Sequence, residues 1–100
     1  MNIRKNSKVW IALAEASENP SDFIRSVMQL RGETPTTLAE KMNHTPMYVS
    51  VALANKTIGV TGCLNFATAL NIDPYLLCRV LYEYKMKCLI EKREKEQSET

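Results

Sequence analysis

Every proline in this chain follows a residue suited to capping a helix: Asn19-Pro20, Thr34-Pro35, Thr45-Pro46 and Asp73-Pro74. Proline lacks an N–H, and the first helical position is where that group would go unsatisfied anyway. Asn, Thr and Asp side chains accept from the free N–H groups one turn in. Asp22, three residues after Asn19, adds negative charge to its first turn, where the helix dipole favours it. With no alternating strand pattern in competition, four such starts make the expected fold class all-α.

Apolar periodicity then predicts six helices. The first spans roughly Ser7 to Ser17, with Val9, Trp10, Leu13 and Ala16 on one face. The second runs from Pro20 to Arg31 with Phe23, Ile24, Val27, Met28 and Leu30, and Gly32 stops it. Pro35 to Met42 follows, with Leu38, Ala39 and Met42 inward, then Pro46 to Ala54. The fifth covers about Thr61 to Leu70, with Leu64, Phe66, Ala67 and Leu70, and the last runs from Pro74 toward Lys92. The chain divides into a basic arm and N-terminal helix (1–18), a central unit (19–72), a terminal helix (73–92) and a polar tail expected to be disordered (93–100).

At 100 residues the chain makes one domain with one modest core. Its 45% hydrophobic and 24% charged residues are those of a soluble globular chain. A net charge of +2 does not by itself call for a nucleic-acid partner. Its distribution says more: Arg4, Lys5 and Lys8 have no acid among the first ten residues and form a short basic arm. The opening imitates a signal peptide, but the apolar run Val9 to Ala14 falls short of the roughly 7–15 residues of such a core. No stretch reaches the ~18 apolar residues of a membrane span, so a cytoplasmic protein is expected.

Searches for chemistry return little. Cys63, Cys78 and Cys88 are odd in number and lack CxxC spacing, which fits small buried hydrophobes in a reducing compartment. The single histidine, His44, has no second His or nearby Cys to build a metal site, and it supports no nucleophile arrangement. Gly32, Gly59 and Gly62 make no phosphate-cradling loop. The expectation is no enzyme, no cofactor and no metal.

The two short helices between Thr34 and Ala54 are joined only by Asn43, His44 and Thr45, the spacing of a helix-turn-helix unit. Here LRGETPTTLAEKMNHTPMYVSVALANKT, followed by FATALNIDP, resembles the Cro/lambda-repressor-type (XRE-like) DNA-binding domain over about residues 20 to 77. The resemblance rests on Arg31-Gly32, Leu38-Ala39, Thr45, Val49, Ala54-Asn55-Lys56 and Phe66-Ala67-Thr68-Ala69-Leu70. The opening NPSDFIRSVM is similar to that of helix-turn-helix antitoxins of the same superfamily. The resemblance implies a five- to six-helix lambda-repressor-like domain, here with an extra N-terminal helix and a long C-terminal one. It further implies a sequence-specific transcriptional regulator, repressor-like, of bacterial, plasmid or phage type, acting as a homodimer on a short palindromic stretch of double-stranded DNA.

The chain also departs from that pattern. Pro35 takes the place of a glutamine that often touches phosphate, and the outward positions of the reading helix hold Pro46, Met47, Ser50 and Val51. An Arg–Glu pair common in the family aligns with Met28 and Leu53, both apolar. Three readings of the stripe Met47, Ser50, Val51 and Ala54 compete. In the first it reads bases weakly, through thymine methyl groups and the Ser50 hydroxyl. Phosphate contacts then come from Thr34, Thr36, Thr37, Thr45, Tyr48, Asn55, Lys56 and Thr57, helped by Arg4, Lys5 and Lys8. In the second the stripe is a protein interface, as in an antitoxin or antirepressor. In the third the helical phase is different and the stripe is partly core.

The terminal helix repeats Leu77, Val80, Leu81, Tyr84 and Cys88 at spacings of three and four. A wide apolar face on a terminal helix is expected at a dimer surface. The competing expectation is that this face packs back on Trp10 and Leu13 of the first helix.

Overall fold

The computed structural model describes residues 7–55 and 58–98, which form six α-helices: α1 (Lys8–Ala16), α2 (Pro20–Arg31), α3 (Pro35–Met42), α4 (Pro46–Ala54), α5 (Val60–Leu70) and α6 (Pro74–Ser98). No strand occurs among the described residues, and no helix among them is long and apolar enough to cross a membrane.

Local chemistry explains the helix ends. Ser7, Asn19, Thr34 and Thr45 each accept a backbone N–H from the first turn of the helix they precede. At their far ends α2, α3 and α5 close on residues in the left-handed region, Gly32 (φ 71°), Asn43 (φ 58°) and Asn71 (φ 56°). Glycine and asparagine tolerate that conformation best. α5 follows Gly59, which offers no side-chain cap, and begins at Val60, one residue before its expected start at Thr61. α6 also ends later than expected: it continues to Ser98, through most of the tail expected to be disordered, rather than stopping near Lys92. The tail is rich in Glu, Lys, Arg and Gln, which are good helix formers, and Lys87, Glu91 and Lys95 repeat at i, i+4 with alternating sign.

α2 is the central element and packs against α1, α4, α5 and α6. Its Phe23, Ile24, Val27 and Met28 are buried together with Trp10 of α1, Leu38 and Ala39 of α3, and Val49 and Leu53 of α4. Phe66, Ala67 and Leu70 of α5 complete this core with Leu77, Val80 and Leu81 of α6. Met28 and Leu53 are both buried in this apolar core. A charge left alone at either position would be costly to bury. The guanidinium of Arg31 lies 4.8 Å from the centre of the Trp10 ring, and its Nη2 donates to the Asn71 carbonyl at 3.0 Å. That residue therefore ties α1, α2 and the end of α5 together.

Two faces turned out differently from expectation. On α1 the buried residues are Trp10 and Ala14, while Val9 and Ala16 are exposed. On α5 Cys63 is buried and Leu64 is exposed. Both helices are apolar on most sides, so periodicity alone did not choose a phase.

Candidate nucleic-acid interface

The elbow between α3 and α4 is short and closed. Asn43 donates its N–H to the Glu40 carbonyl at 3.2 Å, and His44 donates to the Ala39 carbonyl at 2.9 Å, which finishes α3. The next residue, Thr45, caps α4, its hydroxyl accepting from the Tyr48 N–H at 3.2 Å. The His44 ring stacks on Tyr48, with centroids 3.9 Å apart and planes 14° from parallel. His44 is exposed in the elbow, and this stack lays its ring against the first turn of α4.

The other end of α4 is held by α2. Arg25 Nη2 donates to the Leu53 carbonyl at 2.9 Å, and the Ser21 hydroxyl donates to the Asn55 carbonyl. A cation at a helix C-terminus meets the negative end of the dipole. These contacts span 28 and 34 residues of sequence and leave no local signal.

Between those fixed ends, Val49 and Leu53 face the core and Ala52 is half-buried. Met47, Ser50, Val51 and Ala54 are exposed, with Met47 at 75% and Val51 at 60%. This removes the reading in which the stripe is partly core. Pro46, Thr45 and Asn55 are exposed beside it, and Tyr48 lies at its margin. Lys56, Thr57, Arg4 and Lys5 lie outside the described residues. Lys8, assigned to the basic arm, begins α1, which packs on α2 and α6 and touches neither α3 nor α4. The structure therefore does not bring Lys8 to the α4 face.

Thr34, Thr36 and Thr37, expected to contact phosphate, are all exposed at the start of α3, where two of them already bond to each other. The Thr34 hydroxyl accepts from the Thr37 N–H at 3.2 Å, and the Thr37 hydroxyl accepts from the Thr34 N–H at 2.8 Å. Thr37 also donates to the Glu33 carboxylate, which is paired with Lys41. The hydrogen bonds from Lys41 and then Thr37 hold the Glu33 carboxyl below its ordinary range. A carboxylate thus sits where the helix dipole would welcome a phosphate, and Lys41 already neutralises it. Thr34 and Thr37 are committed to this network, whereas Thr36 is exposed beside it.

The residues assigned to a dimer surface divide in two. Leu77, Val80 and Leu81 are buried in the core of a single chain, so that assignment is corrected: α6 uses this face to close its own fold against α1, α2 and α5. Tyr84 is half-buried at the edge and Cys88 is exposed. A hydrogen bond with the Cys88 side chain, then burial, holds the Tyr84 phenol above its ordinary range.

Set against protein-family models, curated proteins and solved structures, the chain finds no match.

Proposed function

We propose that this chain is a lambda-repressor-like helix-turn-helix regulator of transcription. In this reading it binds double-stranded DNA as a homodimer, with α3 crossing the phosphate backbone and α4 entering the major groove. One observation carries the reading: α4 is fixed at both ends, by the Thr45–His44–Tyr48 elbow and by Arg25 and Ser21, while its Met47, Ser50, Val51 and Ala54 face is free. A rigid helix presented on a short elbow is what groove reading requires. Val51 and Ala54 suit thymine methyl groups, and the Ser50 hydroxyl suits several base edges. Occupation of an operator accounts for repression, and such a regulator works in the cytoplasm.

The test is a titration against the DNA upstream of its own gene at several salt concentrations. Binding led by phosphate contacts must weaken steeply as salt rises. Val51→Glu, at an exposed position, should abolish retardation without unfolding the protein.

A second reading has an observation of its own. The free face of α4 is uncharged and mostly apolar, and Lys41, in the last turn of α3, is engaged by Glu33. Exposed apolar surface of this kind favours a protein partner, as in an antitoxin or antirepressor. Absence of retardation even at low salt would favour it.

A further inference from the structure

Beyond Tyr84 the last helix leaves the body of the protein, and every residue from Lys85 to Gln97 is exposed. The molecule measures 51 Å along its long axis against 30 and 19 Å across. A helix in open solvent is ordinarily polar all round or laced with ion pairs. This one carries Tyr82, Met86, Leu89 and Ile90 at 64, 38, 62 and 51% exposure. They sit at i, i+4, i+7 and i+8, on a single face. Leu77, Val80 and Leu81, which bind the body, lie on a different face.

With Arg79, Arg93 and Glu96 the row reads 79, 82, 86, 89, 93, 96, alternating steps of three and four. That is the seam spacing of two helices wound together. The charges within the seam decide the direction. In a parallel pair Arg79 would meet Arg79, Arg93 would meet Arg93 and Glu96 would meet Glu96. In an antiparallel pair centred between Met86 and Leu89, Met86 meets Leu89, Tyr82 meets Arg93 and Arg79 meets Glu96. Each like-charge contact becomes an ion pair or a cation over an aromatic face. Lys85 and Lys92 flank the row, covering it with their aliphatic stems while their ammonium groups reach water.

We propose that two copies of this chain pair through the exposed half of α6, antiparallel, about a two-fold axis between Met86 and Leu89. The two bodies then sit at opposite ends of the paired helices and do not collide. Specific interfaces begin at about 1,000 Å² of total buried surface, and eight large side chains with the flanking stems are of that order. Pairing is therefore weak and depends on concentration. It supplies the contact the proposed homodimer needs and rests on that reading only for its use on DNA.

Sedimentation velocity of the full chain without DNA tests it. A dimer fraction that rises with concentration, and Leu89→Lys monomeric throughout, are expected. Glu96→Arg should weaken the dimer by roughly three- to tenfold, and Arg79→Glu added to it should restore association. All three positions are exposed, and an unchanged circular dichroism melt confirms that each variant folds. A monomer at every concentration, or a dimer that survives Leu89→Lys, overturns the proposal. Indifference to Glu96→Arg overturns the antiparallel register, because a parallel pair merely exchanges one like-charge contact for another. Retardation of DNA by a strictly monomeric protein would sink this pairing and leave the DNA reading standing.

Discussion

At the level of single residues, Asn43 is the most constrained position of the elbow. Its φ of 58° costs an ordinary L-residue about 1–2 kcal/mol, and a β-branched one at the upper end. Asn43→Val should lower stability by about 1–2 kcal/mol, whereas Asn43→Gly should be neutral or mildly stabilising; urea melts of the two variants check this. Cys63 makes a second case. Burial, and then the neighbouring Cys78, push its thiol from 9.0 up to about 11. The folded state therefore holds a proton that the unfolded chain releases first. Stability is intact below about pH 9 and falls as pH rises toward 11, and Cys63→Ala should flatten that slope. Iodoacetamide at pH 8 should label the exposed Cys88 in the native protein and reach Cys63 only on unfolding. Much at this scale was legible beforehand. The Asn, Thr and Asp caps before proline mark the starts of α2, α3, α4 and α6 because a cap and its proline are adjacent in sequence. Glu33 was not legible as the occupant of the α3 N-terminus, because its partners Thr37 and Lys41 come together only after α3 forms.

At the level of elements, α4 is apolar on both its buried and its open side, so composition alone cannot say which side is which. The inward direction of Val49 and Leu53 was still readable, because a three-residue elbow and two caps fix where α4 starts. In α1 and α5 nothing comparable fixes the rotation, and size was a poor guide: Ala14 is buried while Val9 is not, and Cys63 while Leu64 is not. The two sides of α4 should therefore respond very differently to charge. Val49→Asp buries a carboxylate among Leu38, Ala39 and their neighbours and should unfold the domain, a loss of several kcal/mol. Val51→Glu lies in solvent and should shift stability by less than about 0.5 kcal/mol. Thermal melts of the pair would show whether the stripe is as free as described, and equal losses would refute it.

For the molecule as a whole, the core depends on the first helix more than its nine residues suggest. Trp10 is completely buried and Arg31 lies over its ring. Trp10→Ala should cost about 3–5 kcal/mol, a large share of the roughly 5–15 kcal/mol that a domain of this size possesses. It should also uncover Leu77 and Val80, so calorimetry should show a lower melting temperature together with loss of solubility near the transition. Which surfaces of α6 are spent on the fold and which are left over was not legible from spacing, since both of its apolar rows repeat every three or four residues. Only the position of α1 and α2 assigns one row to the interior.

The unsupported half of α6 has a thermodynamic corollary. Thirteen residues from Lys85 to Gln97 are exposed, and a lone helix of that length is marginal in water. Its winding cannot be underwritten by the body, so its amides should trade hydrogen for deuterium almost freely in dilute solution and slow down as the sample is concentrated. The terminal rod would then act as its own gauge of crowding, stiffening when another molecule comes alongside and loosening when it departs.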